Sequence, residues 1–364
     1  MPPTSTDIRT TQTYVESVDA NTFVDRVLSK RCGQIIDLSN DIADLLTDVF
    51  HLFGSRAAAV AFVEARLERI AEARAQLARL QESPGVAQRT PEWYATRREL
   101  ITASDFGQAL GSGKFGTPKQ FFAKKCGYEP ERPFNALIPP LKWGVMFEPV
   151  ANEVYCHKNN VRVHEFGLLR HPTVPYLGAS PDGITDLGVM VEIKCPYKRK
   201  IDGTIPSQYF HQIQGQLEVC GLTECDYLEC EFVAVESDED PGTPYTGLIA
   251  EFRCDGAVTY EYFYGWHADS PPAAEWLDLQ KQKANYYWTH RWRLATYRCS
   301  RVYKDEAFVA DMVKRLGDAW SKIEAYRNNL DLYVKEIGAP TAPSSTSYGG
   351  AGAGLTGYSF IDED

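Results

Sequence analysis

Asp182, Glu192 and Lys194 combine residue types and a spacing that could do chemistry together. They lie in GASPDGITDLGVMVEIKCPYKRK, residues 178 to 200. Side chains alternate faces along a strand, so between Val189 and Cys195 one face carries Val189, Val191 and Ile193 and the other Met190, Glu192 and Lys194. The turn-forming dipeptides Asp182-Gly183 and Leu187-Gly188 bracket the short apolar runs of a β-hairpin. If Asp186, Leu187 and Gly188 form a three-residue loop with Gly188 left-handed, Thr185 pairs with Val189 and Asp182 falls opposite Glu192. Convergent carboxylates repel unless a cation lies between them or one keeps its proton. A hard, oxygen-liganded Mg²⁺ or Mn²⁺ suits them. With Lys194 alongside, such an ion could bind a phosphodiester oxygen and lower the pKa of a water from about 15.7 towards neutrality. The plain alternative is an amphipathic hairpin whose Asp-Gly is an ordinary turn.

Other residues extend the hydrolytic reading. Glu148 lies near the start of the helical stripe Val150, Val154, Tyr155, next to Pro149, which either kinks or opens the helix. It could add a third carboxylate, or be a solvated acid at a helix start. In PSQYFHQIQGQLEVCG (206 to 221), Ser207 is the expected cap and Tyr209, Ile213, Leu217 and Cys220 the buried face. Gln208, Gln212 and Gln216 form a second row that could orient water or phosphate through neutral hydrogen bonds. Arg97 and Arg98 with Ser104 could receive a phosphate, because guanidinium forks match its oxygens. GSGK (111 to 114) fails as a phosphate-binding loop because Phe115 follows the Lys. Cys220, Cys225 and Cys230 recur every five residues near His211, but fit no zinc or iron-sulfur spacing and read as small buried residues of a helix and the next strand.

The elements that must position these residues follow from the whole chain. Its 364 residues, 44% hydrophobic and 24% charged, are those of a globular protein with a sizeable core. No run of roughly 18 apolar residues is present and the polar start lacks a secretory core, so an intracellular protein with no membrane partner is expected. Nine scattered cysteines without a C-x-x-C pair argue for reduced thiols. The net charge of −11 opposes nucleic-acid binding only on average, since acids gather at the ends and in ESDED (236 to 240). Arg97, Arg98, Lys114, Lys119, Lys124, Lys125, Lys194, Lys198, Arg199 and Lys200 lie between them, leaving room for a local basic groove. Residues 1–85 read as a helical extension, with Val60, Val63, Leu67, Ile70, Ala73, Leu77 and Leu80 facing the rest of the chain. Residues 86–265 mix strand and helix as an α/β core. Residues 266–337 read as a second helical segment, its Trp and Tyr residues serving as core rather than as a base-stacking surface. Residues 338–364 read as a disordered acidic tail.

Five segments, WYATRRELITASDF, WGVMFEPVANEVY, GASPDGI, VEIKCP and YFHQIQGQLEVCG, occur in this order over residues 90 to 235. Together they resemble the lambda-exonuclease or YqaJ-type viral recombinase family of PD-(D/E)xK nucleases. The resemblance implies a mixed central sheet flanked by helices, as in restriction endonucleases. It also implies Mg²⁺-dependent 5′ to 3′ degradation of one strand from double-stranded DNA ends, leaving a 3′ single strand for an annealing protein. Asp182 and Glu192 would then ligate metal with the Ile193 carbonyl, Lys194 would activate water, Glu148 would be the helix-borne acid, and Gln212 the glutamine after the strand. Arg97, Ser104 and Ser180 would hold a 5′-terminal phosphate. Lys198, Arg199 and Lys200 offer the next phosphate contact, ambiguous by a residue or two. A ring-shaped homo-oligomer and, for a viral protein, a location in the host cytoplasm or nucleus also follow from resemblance alone. Competing functions are an endonuclease or RNA-degrading shutoff factor on the same core, and a non-catalytic DNA-end-binding module. An iron-sulfur nuclease needs clustered cysteines that this chain lacks.

Overall fold

The computed structural model describes residues 21, 22, 25, 55–112, 116–129, 138–235, 243–266 and 268–339. The acidic loop 236 to 240, Lys114, nearly all of the first 54 residues and the tail from 340 onward lie outside them.

Helix α1 (Arg56–Glu82) starts at Ser55, whose hydroxyl accepts from Ala58 N at 3.2 Å. It buries Val63, Ile70 and Leu77, one residue every two turns, so it packs on the rest of the chain as expected. α2 (Pro91–Arg98) follows, then strand β1 (Ile101–Thr102), a 3₁₀ turn, α3 (Phe106–Ala109), α4 (Pro118–Cys126) and α5 (Pro139–Asn159). Pro149 lies inside α5 and does not open it; it lacks only the N–H that would bond the Val145 carbonyl.

Short strands β2 (Val163–His164), β3 (Leu169–Arg170) and β4 (Leu177–Ala179) lead to β5 (Gly183–Thr185) and β6 (Met190–Lys194). After α6 (Ser207–Cys220) come β7 (Glu224–Ala234), β8 (Thr246–Cys254), β9 (Ala257–Phe263), α7 (Pro271–Lys281), β10 (Tyr286–Tyr303), α8 (Glu306–Arg327) and α9 (Leu330–Glu336). Pro206 caps α6, so Ser207 is its first helical residue rather than the cap, and its hydroxyl donates to Ser112 O at 3.0 Å.

The main sheet has the order β2-β5-β6-β7-β10-β8-β9, and a small sheet has the order β1-β4-β3. β6 and β7 are parallel and the other pairs of the main sheet antiparallel, which makes it the mixed sheet flanked by helices that was expected. Each face carries its own core. Met190 joins Tyr209, Ile213 and Leu217 of α6 on one side. Val191 and Ile193 join Phe147, Val150 and Val154 of α5 on the other. Cys220, Cys225 and Cys230 are buried thiols at the end of α6 and on β7, and burial pushes the Cys220 thiol up to about 12.

The helical segment expected over residues 266–337 is corrected by β10, an 18-residue strand between β7 and β8. Its Tyr, Trp, Thr and Val residues favour a pleated strand. A register shift between Leu294 and Thr296 breaks the alternation, so no single period-two pattern runs its length. The core sheet therefore does not end at residue 265.

Candidate active site

The β5–β6 hairpin has the expected register. Gly188 N donates to Thr185 O and Thr185 N to Val189 O, both at 2.8 Å, and Gly188 has φ +76°. A Cβ there would stand 2.4 Å from Ala73 Cβ of α1, so only glycine allows both the left-handed turn and the close approach of the helix. The Asp182-Gly183 turn is corrected: Gly183 is a strand residue paired with Val191, and a Cβ on it would meet Val163 Cγ1 at 2.2 Å. Asp182 stands instead where the chain leaves the small sheet after β4 and enters the large one at β5.

Asp182 Oδ2 accepts from Ile193 N at 2.7 Å, which draws it to the β6 residues. Glu192 is fully buried. Its oxygens accept from Gln212 Nε2 at 2.7 Å, Gln216 Nε2 at 2.8 Å and Lys194 Nζ at 2.8 Å. Lys194 also lies 4.8 Å from the Tyr209 ring centroid, a cation over a π face. Burial, then Glu192, then Glu148 push the Asp182 carboxyl well above its ordinary range, and Lys194 opposes them. Glu148 thus acts on Asp182 from α5, while its own carboxylate meets Arg89 at 3.5 Å.

The donor set suits a hard cation: the carboxylates of Asp182 and Glu192, and the buried, unpartnered Gln216 Oε1. Among the described residues no group of three His, Cys, Asp or Glu already surrounds one ion position.

A second cluster adjoins this one. Arg97 Nη2 donates to Ser104 Oγ at 3.0 Å, and the guanidinium lies 4.5 Å from the Trp93 ring centroid. Trp93 Nε1 donates to Ser180 Oγ at 3.2 Å, so one indole joins Arg97 and Ser104 to Ser180. Beneath them the buried Lys125 contacts Asp105 at 2.7 Å and donates to the carbonyls of Arg97 and Leu100 at 2.9 and 2.6 Å. Arg199 pairs with buried Glu229 at 2.7 Å, and Glu229 is the register partner of Lys194, which places Arg199 beside the same strand. Lys198 and Lys200 are exposed.

Trp93 and Asp105 were not singled out from sequence; Gln216 was read as one of a glutamine row and Lys125 as one cation of a basic groove, neither as a partner of a buried carboxylate. The four-residue glutamine row was the available signal for Gln216; nothing local distinguishes the buried Lys125 from its half-buried neighbour Lys124.

The sheet is mixed and flanked by helices, and it brings Asp182, just ahead of β5, together with Glu192 and Lys194 on β6. Residues 92–225 match the family model of the YqaJ-like viral recombinase domain. The chain is 26% identical to an uncharacterised protein of Acanthamoeba polyphaga mimivirus over 307 residues, covering 70% of this chain and 55% of that protein. It is 29% identical over 164 residues to a protein of African swine fever virus, covering 36% of this chain and 45% of the relative. The chain thus spans about half the length of these curated relatives. Among solved structures it is similar to an alkaline exonuclease, LHK-Exo, from Laribacter hongkongensis, at 21% identity and TM-score 0.44, over 68% of this chain and 100% of that one. Among the described residues no helix is long and apolar enough to cross a membrane.

Proposed function

We propose that the protein is a Mg²⁺-dependent exonuclease that degrades one strand of linear double-stranded DNA from the 5′ end, leaving 3′ single strands for viral recombination and replication. The observation that carries this reading is the convergence of Asp182, Glu192 and Lys194 in one buried site, where burial and then the neighbouring carboxylates raise the Asp182 pKa, a cost that a cation would relieve.

A bound Mg²⁺, held by Asp182, Glu192 and the Ile193 carbonyl with Glu148 nearby, would supply Lewis acidity to the scissile phosphate and to water. Lys194 would orient and activate that water. Gln212 and Gln216 fix the Glu192 carboxylate from the helix side, so its orientation is set before substrate arrives. Arg97, Ser104 and Ser180, joined through Trp93, form a fork of donors suited to a terminal 5′-phosphate. Lys198, Arg199 and Lys200 supply positive charge for the next phosphates of the strand.

The test is linear duplex carrying either phosphate or hydroxyl at a labelled 5′ end, incubated with Mg²⁺, with covalently closed circular DNA as control. Mononucleotide release from phosphorylated ends with an intact circle is the expected result. Cutting of the circle would make the protein an endonuclease and withdraw the 5′-phosphate roles.

A further inference from the structure

The far end of β10 carries two large aromatic side chains outside the core: Trp288 is 60% exposed and Tyr287 52%. Trp288 is the register partner of Glu251 on β8, and Glu251 of Tyr260 on β9. Opposed residues of antiparallel strands project to the same face, so all three share the face that α5 covers further along, where Phe147 meets Trp292.

Glu251 is fully buried and gathers Lys142 at 2.6 Å, Arg253 at 2.7 Å and His290 at 2.7 Å. Burial holds the His290 pKa below its ordinary value, so near neutral pH Lys142 and Arg253 together exceed the single negative charge of Glu251. The Arg253 guanidinium lies 3.4 Å from the Tyr287 ring centroid. A chain with net charge −11 thus presents a cationic, aromatic face here.

The patch is continuous with the active site by two routes. Tyr197, three residues after Lys194, packs edge-on against Trp143, the neighbour of Lys142, at 5.5 Å. Along β9, Tyr262 lies within electrostatic reach of Glu148 and Arg89, and stacks on Tyr264 at 5.6 Å.

We propose that this face is a track for a single nucleic-acid strand running to or from the active site, with Trp288 and Tyr287 stacking bases and Arg253 and Lys142 holding phosphates. It rests on the nuclease reading above. Exposed π faces beside guanidinium and ammonium groups match a strand whose bases are unstacked; a duplex keeps its base faces hidden.

The experiment measures binding of the full chain to a fluorescein-labelled oligothymidylate in EDTA, where no strand is cut. Trp288→Ala weakens binding about tenfold, as expected for loss of one stacked base, and Trp288→Phe restores most of it. Arg253→Gln lowers the slope of log affinity against log salt by about 0.7, the value of one single-strand phosphate contact. Blunt duplex of the same length shows neither change. Equal single-strand affinity for wild type and a folded Trp288→Ala overturns the track and leaves the patch to a protein partner. A parallel Mg²⁺ assay on linear duplex separates the two readings. Trp288-dependent binding by a chain that cuts nothing keeps the track and removes the nuclease; cleavage with Trp288-independent binding does the reverse.

Discussion

Replacing Lys125 by Met tests whether the floor under Arg97 is built from charge. Lys125 is only 4% exposed, and its ammonium meets Asp105, Arg97 O and Leu100 O at 2.7, 2.9 and 2.6 Å. Asp105 also accepts from Thr102 N and Thr102 Oγ1, at 3.2 and 2.7 Å. Burial alone would raise the Asp105 pKa; Lys125, Lys124 and Arg97 outweigh it and hold the carboxyl well below its usual range, so the group is ionised. Methionine keeps the length of the side chain and removes its charge. The buried carboxylate then keeps Arg97, 3.8 Å away, and Lys124 as counter-charges, and the Arg97 and Leu100 carbonyls lose the ammonium. Removing one partner of a buried pair costs about 3–5 kcal/mol. That is a large part of the about 5–15 kcal/mol that stabilises a typical domain. Urea unfolding followed by tryptophan fluorescence reads the loss as a lower midpoint at unchanged slope. Asp105→Asn added to Lys125→Met recovers part of it, because the uncompensated charge is gone. A loss below about 1 kcal/mol, the size of an exposed pair, would refute the reasoning and place Lys125 in water.

Three further outcomes are expected. Asp182→Asn and Lys194→Ala each lower the cleavage rate by at least about 100-fold, the scale of losing one preorganised electrostatic group, while duplex affinity in EDTA is largely kept; cleavage retained in either variant removes that residue from the mechanism. Gly188→Ala lowers stability by about 1–2 kcal/mol for the left-handed backbone and about 1–3 kcal/mol for the contact with α1, read by thermal melting; an unchanged melt would mean that α1 does not pack on the turn. Burial raises the Glu218 pKa, but Lys304 and His171 outweigh it and hold the carboxyl below 4.5. Between the lowered folded value and the unfolded value the unfolded chain binds more protons, so this stabilisation is complete above about pH 4.5 and is lost as pH falls through the folded value. Lys304→Met flattens stability against pH in that acid window, and an identical acid limb in the variant would exclude the pair as its source.

What the sequence made legible was local. The turn at Gly188, the pairing of Thr185 with Val189, and the shared face of Glu192 and Lys194 all follow from period two and one left-handed residue. The Gln212 and Gln216 contacts with Glu192 extend the same reasoning to a row spaced by four on α6. What was hidden depends on distant chain. Asp182-Gly183 has the composition of a turn, but β2 and β6 hold it extended, with Val163 occupying the space a Cβ would need. Lys125 reads as one more cation of a basic groove until Asp105 and two carbonyls are seen to enclose it. β10 pairs with residues at least 34 positions earlier (Tyr286 with Phe252), so nothing beside it in sequence announces that it is central.

That hidden strand also explains why the flanking regions belong to the same body as the site. Arg301 of β10 contacts Asp25, Glu224 and Asp226, and Arg66 of α1 contacts Asp25 and Glu224. Tyr155 of α5 donates to Asp226 at 2.7 Å. Glu224 and Asp226 open β7, the parallel neighbour of β6, in which Tyr227 is the register partner of Glu192. Buried carboxylates at that end would be costly unpaired, so β7 keeps its ionised start only while the N-terminal segment and β10 supply the guanidinium groups. Both arginines lie outside the family match at residues 92–225. A fragment cut to the match would end two residues into β7 and would lack both arginines, Asp226, the rest of β7 and β10. The position of the β6 carboxylate is therefore held in part by charges that the nuclease motif does not contain.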